Sequence, residues 1–222
     1  MNRVPSVSVV IPVHNQEMYV GRCLRSILNQ SLNREDYEII VVDDGSTDRS
    51  LEALHHFQGD IRLISHGTCQ GLPAAINSGV REARGQFIVR LDSDDYVHTD
   101  FLKILALYLR MNSHFDAVAC DYLLVDDHEN ILHQADCSQE PIGCGIMFRV
   151  EQLIDIGLYD ETFLSREDED LRIRFLKKHN IHRAALPLYR YRRHGNNMTN
   201  NQNRMDHFQK ILDEKHGEPE NE

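Results

Sequence analysis

Four short apolar runs in the first half of the chain limit its fold more than any other feature: Val7–Val13 (VSVVIPV), Tyr37–Asp44 (YEIIVVDD), residues 61–66 (IRLISH) and residues 86–91 (QFIVRL). They are rich in β-branched residues and nearly continuously apolar, as strands buried on both faces are. The segments between them have helical spacing. Val20, Cys23, Leu24, Ile27 and Leu28 share a stripe in the first. In the second, Ser46 or Thr47 is a candidate N-cap ahead of Leu51 and Leu54. The third runs over residues 72–85, with Gly85 as its expected C′ residue. Helix-length links between buried strands predict a mainly parallel sheet with right-handed crossovers, so the fold class is α/β.

The second half continues less regularly. A helix is predicted over residues 100–112, with Asp100 as cap, and a strand over 116–127. Residues 128–149 are polar and turn-rich. Residues 166–180 read as a helix with an acidic start and a basic end, which suits the helix dipole. At 222 residues and 41% hydrophobic, the chain suits one large domain. Residues 1–200 are expected to form it, with halves 1–115 and 116–200, followed by a C-terminal helix or tail over 201–222. The last ten residues, DEKHGEPENE, are expected to fray.

A formal net charge of -11 argues against a nucleic-acid partner, because phosphate contacts need a surplus of Lys and Arg. It disfavours an anionic membrane surface for the same reason. The five cysteines are odd in number and contain no CxxC, which fits a reducing cytoplasm better than a disulfide framework. No run of about 18 apolar residues predicts a transmembrane span, and the N-terminus does not read as a signal peptide. The expected location is cytoplasmic, soluble or peripheral at the cytoplasmic membrane face. One basic patch, YRYRRH at Tyr189–His194, runs against the overall sign.

Three predicted strands end in polar residues: PVHNQE, VVDDGSTD and LDSDD. In open parallel sheets such ends converge on one rim, where ligands bind. In RLDSDDYV, Asp92, Asp94 and Asp95 fall within four residues. Like charges this close repel, and each raises the cost of ionising the next, so something positive is expected among them. Hard oxygen ligands suit Mg²⁺ or Mn²⁺. Mg²⁺ bound by few carboxylates usually shares phosphate oxygens, so a phosphorylated ligand is implied. Neither GxGxxG after the first strand nor GxxxxGK[ST] occurs, so dinucleotide oxidoreductases and P-loop enzymes lack their phosphate cradle here.

The segments SVVIPVHNQEMYVGRCLRSILNQS, EIIVVDDGSTDRS, AAINSGVREARGQFIVRLDSDD, GCGIMFR with IGLYDETF, REDEDLRIRF and YRYRRHGNN occur in an order that resembles glycosyltransferase family 2, over roughly residues 6 to 198. The resemblance implies a GT-A fold: a mainly parallel Rossmann-like sheet flanked by helices, with a small mixed β/α region on the acceptor side. It implies a metal-dependent, inverting transfer of one sugar from a nucleotide-diphosphate sugar, UDP first, to a hydroxyl acceptor. That acceptor is expected to be a glycan, a lipid-linked molecule or a small molecule, in glycan or polysaccharide biosynthesis. A homo-oligomer is compatible with it.

By the same resemblance, Pro12, Val13 and Asn15 line the nucleotide pocket. Asp44, or Asp43 beside it, accepts the base imide N–H. Asn77 lies near the nucleotide, and Asp92 contacts ribose or sugar. Asp94 is the leading metal ligand, with Asp95, near the diphosphate or donor sugar, and His194 as further ligands. Arg193 faces the diphosphate. Asp168 is the acceptor-activating base, with Glu167 and Asp170 as neighbouring alternatives. The cofactor is Mn²⁺ or Mg²⁺. Two departures stand out: Gln70-Gly71 replaces an Asn-Gly turn common in relatives, and the QxxRW signature of processive synthases is absent. A non-catalytic nucleotide-sugar-binding paralogue is the first alternative. A sugar-phosphate nucleotidyltransferase is the second, although its Gly-rich activating loop is missing.

Overall fold

The computed structural model describes residues 4–195 and 197–217. The four apolar runs form β1 (Val7–Val13), β2 (Tyr37–Asp44), β3 (Arg62–His66) and β4 (Phe87–Arg90). They lie parallel in the order β3-β2-β1-β4. The crossovers are α1 (Val20–Leu28), α2 (Ser50–His55) and α3 (Leu72–Arg81). Strand alternation sorts the side chains between two faces. Val9, Ile11, Ile39 and Val41 pack with Leu24 and Ile27 of α1 and with Phe101 and Leu105 of α4 (Phe101–Met111). On the other face, Val10 packs with Ile76 and Val80 of α3.

Beyond β4 the sheet becomes mixed. β5 (Tyr96–Val97), β6 (Ala117–Val125), β7 (Ile131–Ala135), β8 (Ile146–Arg149) and β9 (Ile181–Arg192) extend it in the order β4-β8-β6-β9-β5, with β7 paired to β6. β8 runs antiparallel to both β4 and β6, while β9 runs parallel to β6. The helices of this half are α5 (Val150–Asp155), α6 (Glu167–Leu176) and α7 (Gln202–His216).

Several local expectations change. Neither Ser46 nor Thr47 caps α2: Ser46 Oγ accepts from the Asn15 amide, and Asp48 Oδ1 accepts from the Ser50 amide. α3 ends at Arg81, and Gly85 instead donates its amide to Ser8 Oγ on β1. Asp100 does not cap α4, because its Oδ1 accepts from Ser31 Oγ. The basic patch closes β9, which lies between β6 and β5. Asp213–His216, expected to fray, form the last turn of α7, and residues 218–222 lie outside the described residues. Among the described residues, no helix is long and apolar enough to cross a membrane.

Candidate active site

The positive group among the three aspartates comes from the same stretch of chain. Arg90 sits two residues before Asp92, on the same face of the extended chain. Its guanidinium donates Nε to Asp92 Oδ1 at 2.6 Å and Nη2 to Oδ2 at 3.1 Å. Its remaining nitrogen, Nη1, reaches Glu167 Oε1 at 2.9 Å. Arg90 is buried, so this pairing ties the end of β4 to the start of α6 in a setting where solvent screens little. Burial pushes the Glu167 carboxyl up to about 7, Arg90 opposing and Asp168 adding to the rise.

The three aspartates have different surroundings. Asp95 is fully buried. Its Oδ2 accepts from Tyr189 Oη at 2.7 Å and its Oδ1 from the Arg192 amide at 2.7 Å. Burial, with repulsion from Asp94 and Asp92, pushes its carboxyl well above the usual range. The Tyr189 hydroxyl also accepts from the Asp92 amide at 3.2 Å. Asp95 thus fastens the aspartate turn to β9. Asp94 remains partly open, with Oδ2 3.0 Å from His194 Nε2. The His194 ring stacks on Tyr19, with centroids 4.7 Å apart. Arg193 is exposed, and among the described residues its guanidinium has one hydrogen-bond partner, Thr199 Oγ1 at 3.2 Å. Asn196 of the YRYRRHGNN motif lies outside the described residues.

A hard divalent cation suits this donor set. Two ligands at right angles, each about 2.1 Å from a six-coordinate cation, stand about 3.0 Å apart. Asp94 Oδ2 and His194 Nε2 have that separation. Ligand atoms of Asp92, Asp95 and Cys144 also lie within 4.8 Å of one another. Cys144, however, is a soft donor whose thiol burial pushes well above its usual range, so it fits such a cation poorly.

The four acidic residues in the first turn of α6 are sorted by their partners. Glu167 belongs to Arg90, and Glu169 pairs with Arg166. Asp170 is fully buried against Arg174, Lys215 and His216. Asp168 has no hydrogen bond or ion pair among the described residues and is partly open. The loop at Gly143 lies against it so closely that a Cβ at Gly143 would stand 2.5 Å from Asp168 Cβ. A small cleft beside Asp168 is walled by Ile142, Phe148, Leu171, Arg172 and Ile181. Asp168 is close enough to Asp92 for its charge to help raise the Asp92 carboxyl, where burial acts most and Arg90 opposes.

At the other end of the rim, Asp44 is already occupied. Its Oδ1 accepts from His66 Nδ1 at 2.7 Å and the Gln70 amide at 2.9 Å; its Oδ2 accepts from the Gly71 amide at 2.8 Å and Cys69 Sγ at 3.2 Å. Burial pushes its carboxyl up, but these donors outweigh it and hold the group below the usual carboxylate range. Asp43 is buried, and its Oδ1 has no hydrogen-bond partner among the described residues. Gly45 lets the two loops meet: at φ +67°, a Cβ there would lie 2.6 Å from the Cys69 amide nitrogen.

Two other expected nucleotide contacts have partners within the chain. Asn15, in the left-handed region at φ 54°, uses its Oδ1 to accept from the Thr47 and Asp48 amides. Asn77 is buried; its Nδ2 donates to the Tyr159 carbonyl and Glu161 Oε1, and its Oδ1 accepts from the Tyr159 amide. With its amide so used, Asn77 pins the 159–161 loop to α3. Pro12 and Val13 are buried in the last β1–β2 pairs, opposite Val42 and Asp43.

The family model for glycosyl transferase family 2 matches residues 8–168, which carry Asp43, Asp44, Asp92, Asp94, Asp95 and Asp168, while His194 lies beyond the matched stretch. The chain belongs to that family. It is 41% identical over 100 residues to a poly(ribitol-phosphate) beta-glucosyltransferase of Bacillus spizizenii, a match covering 43% of this chain and 16% of that protein. It is 39% identical over 107 residues to a hyaluronan synthase of Pasteurella multocida, covering 47% of this chain and 11% of that one. The matches span from 11% to 49% of the length of such curated relatives. Among solved structures, S. aureus TarS 1-349 in complex with UDP superposes with a TM-score of 0.77 at 20% identity, covering 98% of this chain and 67% of that one. A mannosyltransferase of Pyrobaculum calidifontis in complex with GDP-Man and Mn2+ superposes at 0.74 and 18% identity, covering 96% and 64%. The fold is therefore the GT-A fold of family 2 glycosyltransferases.

The sequence reading of this family 2 site did not single out Arg90, Tyr189 or the structural work of Asp44. The i, i+2 spacing of Arg90 and Asp92 on one strand face was a usable signal. The partners of Asp44 come from a loop more than twenty residues away, and nothing in VVDDGSTD encodes them. Asp44→Ala is expected to lower stability by about 1 kcal/mol, because it removes the acceptor of the Gln70 and Gly71 amides, which solvent reaches only in part. Urea unfolding checks this; a change below about 0.5 kcal/mol, within the range of ordinary surface substitutions, would mean the loop keeps its shape unaided.

Proposed function

We propose that the chain is a metal-dependent, inverting glycosyltransferase that moves one sugar from a nucleotide-diphosphate sugar, UDP first, to a hydroxyl acceptor in glycan or polysaccharide biosynthesis. The observation that carries this reading is Asp168. It is the unpartnered acid in the first turn of α6 among the described residues, and it stands between the aspartate rim and the cleft behind Gly143. A sugar hydroxyl is a poor nucleophile, and a positioned carboxylate accepts its proton as the new C1–O bond forms. Attack from the face opposite the departing nucleotide inverts the anomeric centre.

Asp94 and His194 hold Mn²⁺ or Mg²⁺, with Asp92 alongside. When bound, the cation stabilises the diphosphate as it leaves. Arg193, exposed beside His194, faces the same phosphates. Asp95 sets the position of Asp94 by fixing the aspartate turn to β9. The similarity to a structure holding UDP and to one holding GDP-Man with Mn2+ supports the donor class.

The base meets the rim at Asp44. An ionised carboxylate can only accept, and uracil, thymine and guanine present a ring N–H to it where adenine N1 and cytosine N3 present a lone pair. Cys69 is the weakest of the four donors on Asp44, a thiol, and it is the one an imide N–H displaces. In a thermal-shift panel with Mn²⁺, UDP-sugars are expected to stabilise the protein most, GDP- and dTDP-sugars less, and CMP-sugars and ADP least. At 100 times its dissociation constant the preferred ligand adds about 2.7 kcal/mol. Equal shifts from UDP and ADP would overturn the base assignment. Loss of the preference in Asp43→Asn but not in Asp44→Asn would move it to Asp43, whose Oδ1 is buried and without a hydrogen-bond partner among the described residues.

A further inference from the structure

Asp168 sits near the end of an eleven-residue segment, Asp160–Asp170, whose two ends are joined by one side chain. Lys215 Nζ, in the last turn of α7, lies 2.6 Å from Asp160 Oδ2 and 2.7 Å from Asp170 Oδ1. Asp170 is fully buried on α6, and an imidazole and a guanidinium complete its shell: His216 Nε2 at 2.8 Å from Oδ1 and Arg174 at 2.8 Å from Oδ2.

The middle of the segment is held by the same helix. Phe163 is buried with Phe208 and Leu212 of α7. Arg204 donates to Ser165 Oγ at 2.7 Å and to the Leu164 carbonyl at 2.6 Å. Arg166 is in the left-handed region at φ 59°, an uncommon conformation for a non-glycine residue. Its guanidinium donates Nε to the Met205 carbonyl at 3.1 Å. Arg166 is also the residue from which α6 starts, so its backbone sets the direction in which Asp168 leaves the loop. Residues 163–166 thus each touch α7, and the two ends of the segment close on Lys215.

We infer that α7 is a splint for the catalytic edge of α6, and that Lys215 is a positioning residue: by bridging Asp160 and Asp170 it fixes the Asp168 carboxylate against the rim. This inference rests on the proposed role of Asp168. Among the described residues Lys215 pairs with Asp160 and Asp170 and not with Asp92, Asp94, His194 or Asp168, so its effect runs through the loop and not through donor or metal binding. A strained turn persists only where surrounding structure over-determines it, and α7 supplies that structure.

The test uses the full chain with Lys215→Met, which keeps the aliphatic stem and removes the charge, and Lys215→Arg as the conservative variant. Two readouts are taken: hydrogen exchange of the amides in residues 160–170, and steady-state release of nucleotide from the preferred donor. In Lys215→Met, exchange in that segment is expected to rise at least tenfold while β1–β4 stay protected. Turnover is expected to fall at least tenfold with donor affinity within about twofold, and Lys215→Arg is expected to recover most of both. Unchanged exchange in residues 160–170 would overturn the splint. Faster exchange with turnover within twofold of wild type would overturn the positioning role. If the wild-type protein releases nucleotide from no donor, the proposed function has failed, and the exchange measurement still decides whether Lys215 holds the loop.

Discussion

Asp168→Asn is expected to reduce turnover by roughly 10² to 10⁴, the usual worth of a positioned general base, while donor binding changes by less than about twofold. The amide keeps the size of the carboxylate and most of its hydrogen bonding but loses the basic lone pair. The proposed nucleotide and metal residues lie at the ends of β1, β2, β4 and β9 and share no hydrogen bond with Asp168 among the described residues; of these residues, its charge reaches Asp92. The split between rate and binding separates a base from a structural residue. Asp168 makes no hydrogen bond or ion pair among the described residues, so removing its charge is expected to leave the melting temperature nearly unchanged. Its neighbours behave differently. Glu167→Gln weakens the Arg90 bridge, and Asp170→Asn leaves Arg174, Lys215 and His216 facing a neutral amide in a buried site. Both are expected to lower stability. Steady-state kinetics with a donor and its acceptor, alongside thermal melts, checks all three. Near wild-type turnover in Asp168→Asn would mean that the acceptor is already an anion or that another group takes its proton.

Asp94→Ala is expected to abolish measurable transfer, a loss of about 10³-fold or more. A catalytic cation contributes several kcal/mol of charge stabilisation to a departing anion, and each 1.36 kcal/mol is about tenfold in rate. The substitution removes the oxygen that stands 3.0 Å from His194 Nε2 and leaves the imidazole without that partner. The fold should survive, because Asp95 and Tyr189, not Asp94, fasten the turn to β9. Calorimetry of UDP with Mn²⁺ and with EDTA reads the effect independently of activity. Wild-type affinity should drop when the metal is chelated, and the Asp94→Ala affinity should be low in both conditions. Equal UDP affinity of the wild type in Mn²⁺ and in EDTA would remove the metal from the mechanism.

Much of the architecture was readable before any coordinates. The runs VSVVIPV, YEIIVVDD and QFIVRL announce strands buried on both faces, and their helical links force parallel neighbours. The rim was readable for the same reason: parallel strands bring their carboxyl ends to one side, so PVHN, DDGS and DSDD had to converge. Caps and helix ends were less legible. Ser46, Asp100 and Gly85 are good local candidates, yet each makes a tertiary hydrogen bond to Asn15, Ser31 or Ser8 instead. Side-chain preference for a cap is worth about 1 kcal/mol, which a tertiary partner readily matches.

Within the site, the sequence by itself determined which residue types stand at the rim: three aspartates after β4, two after β2, an acidic start to α6 and a basic end to β9. It could not assign their work, because a carboxylate is defined by its partners and those come from distant chain. Asp95 lies one residue from Asp94, but Tyr189 and the Arg192 amide bury it as a fastener while Asp94 stays open beside His194. Glu167, Asp168 and Asp170 are nearly interchangeable as text. Arg90 from β4 claims the first, and Arg174, Lys215 and His216 claim the last, which leaves the Asp168 carboxylate without a partner among the described residues. The C-terminal residues showed the widest gap. DEKH reads as a polar tail, and only the buried charge of Asp170, which needs a counter-charge once removed from water, draws Lys215 and His216 into place.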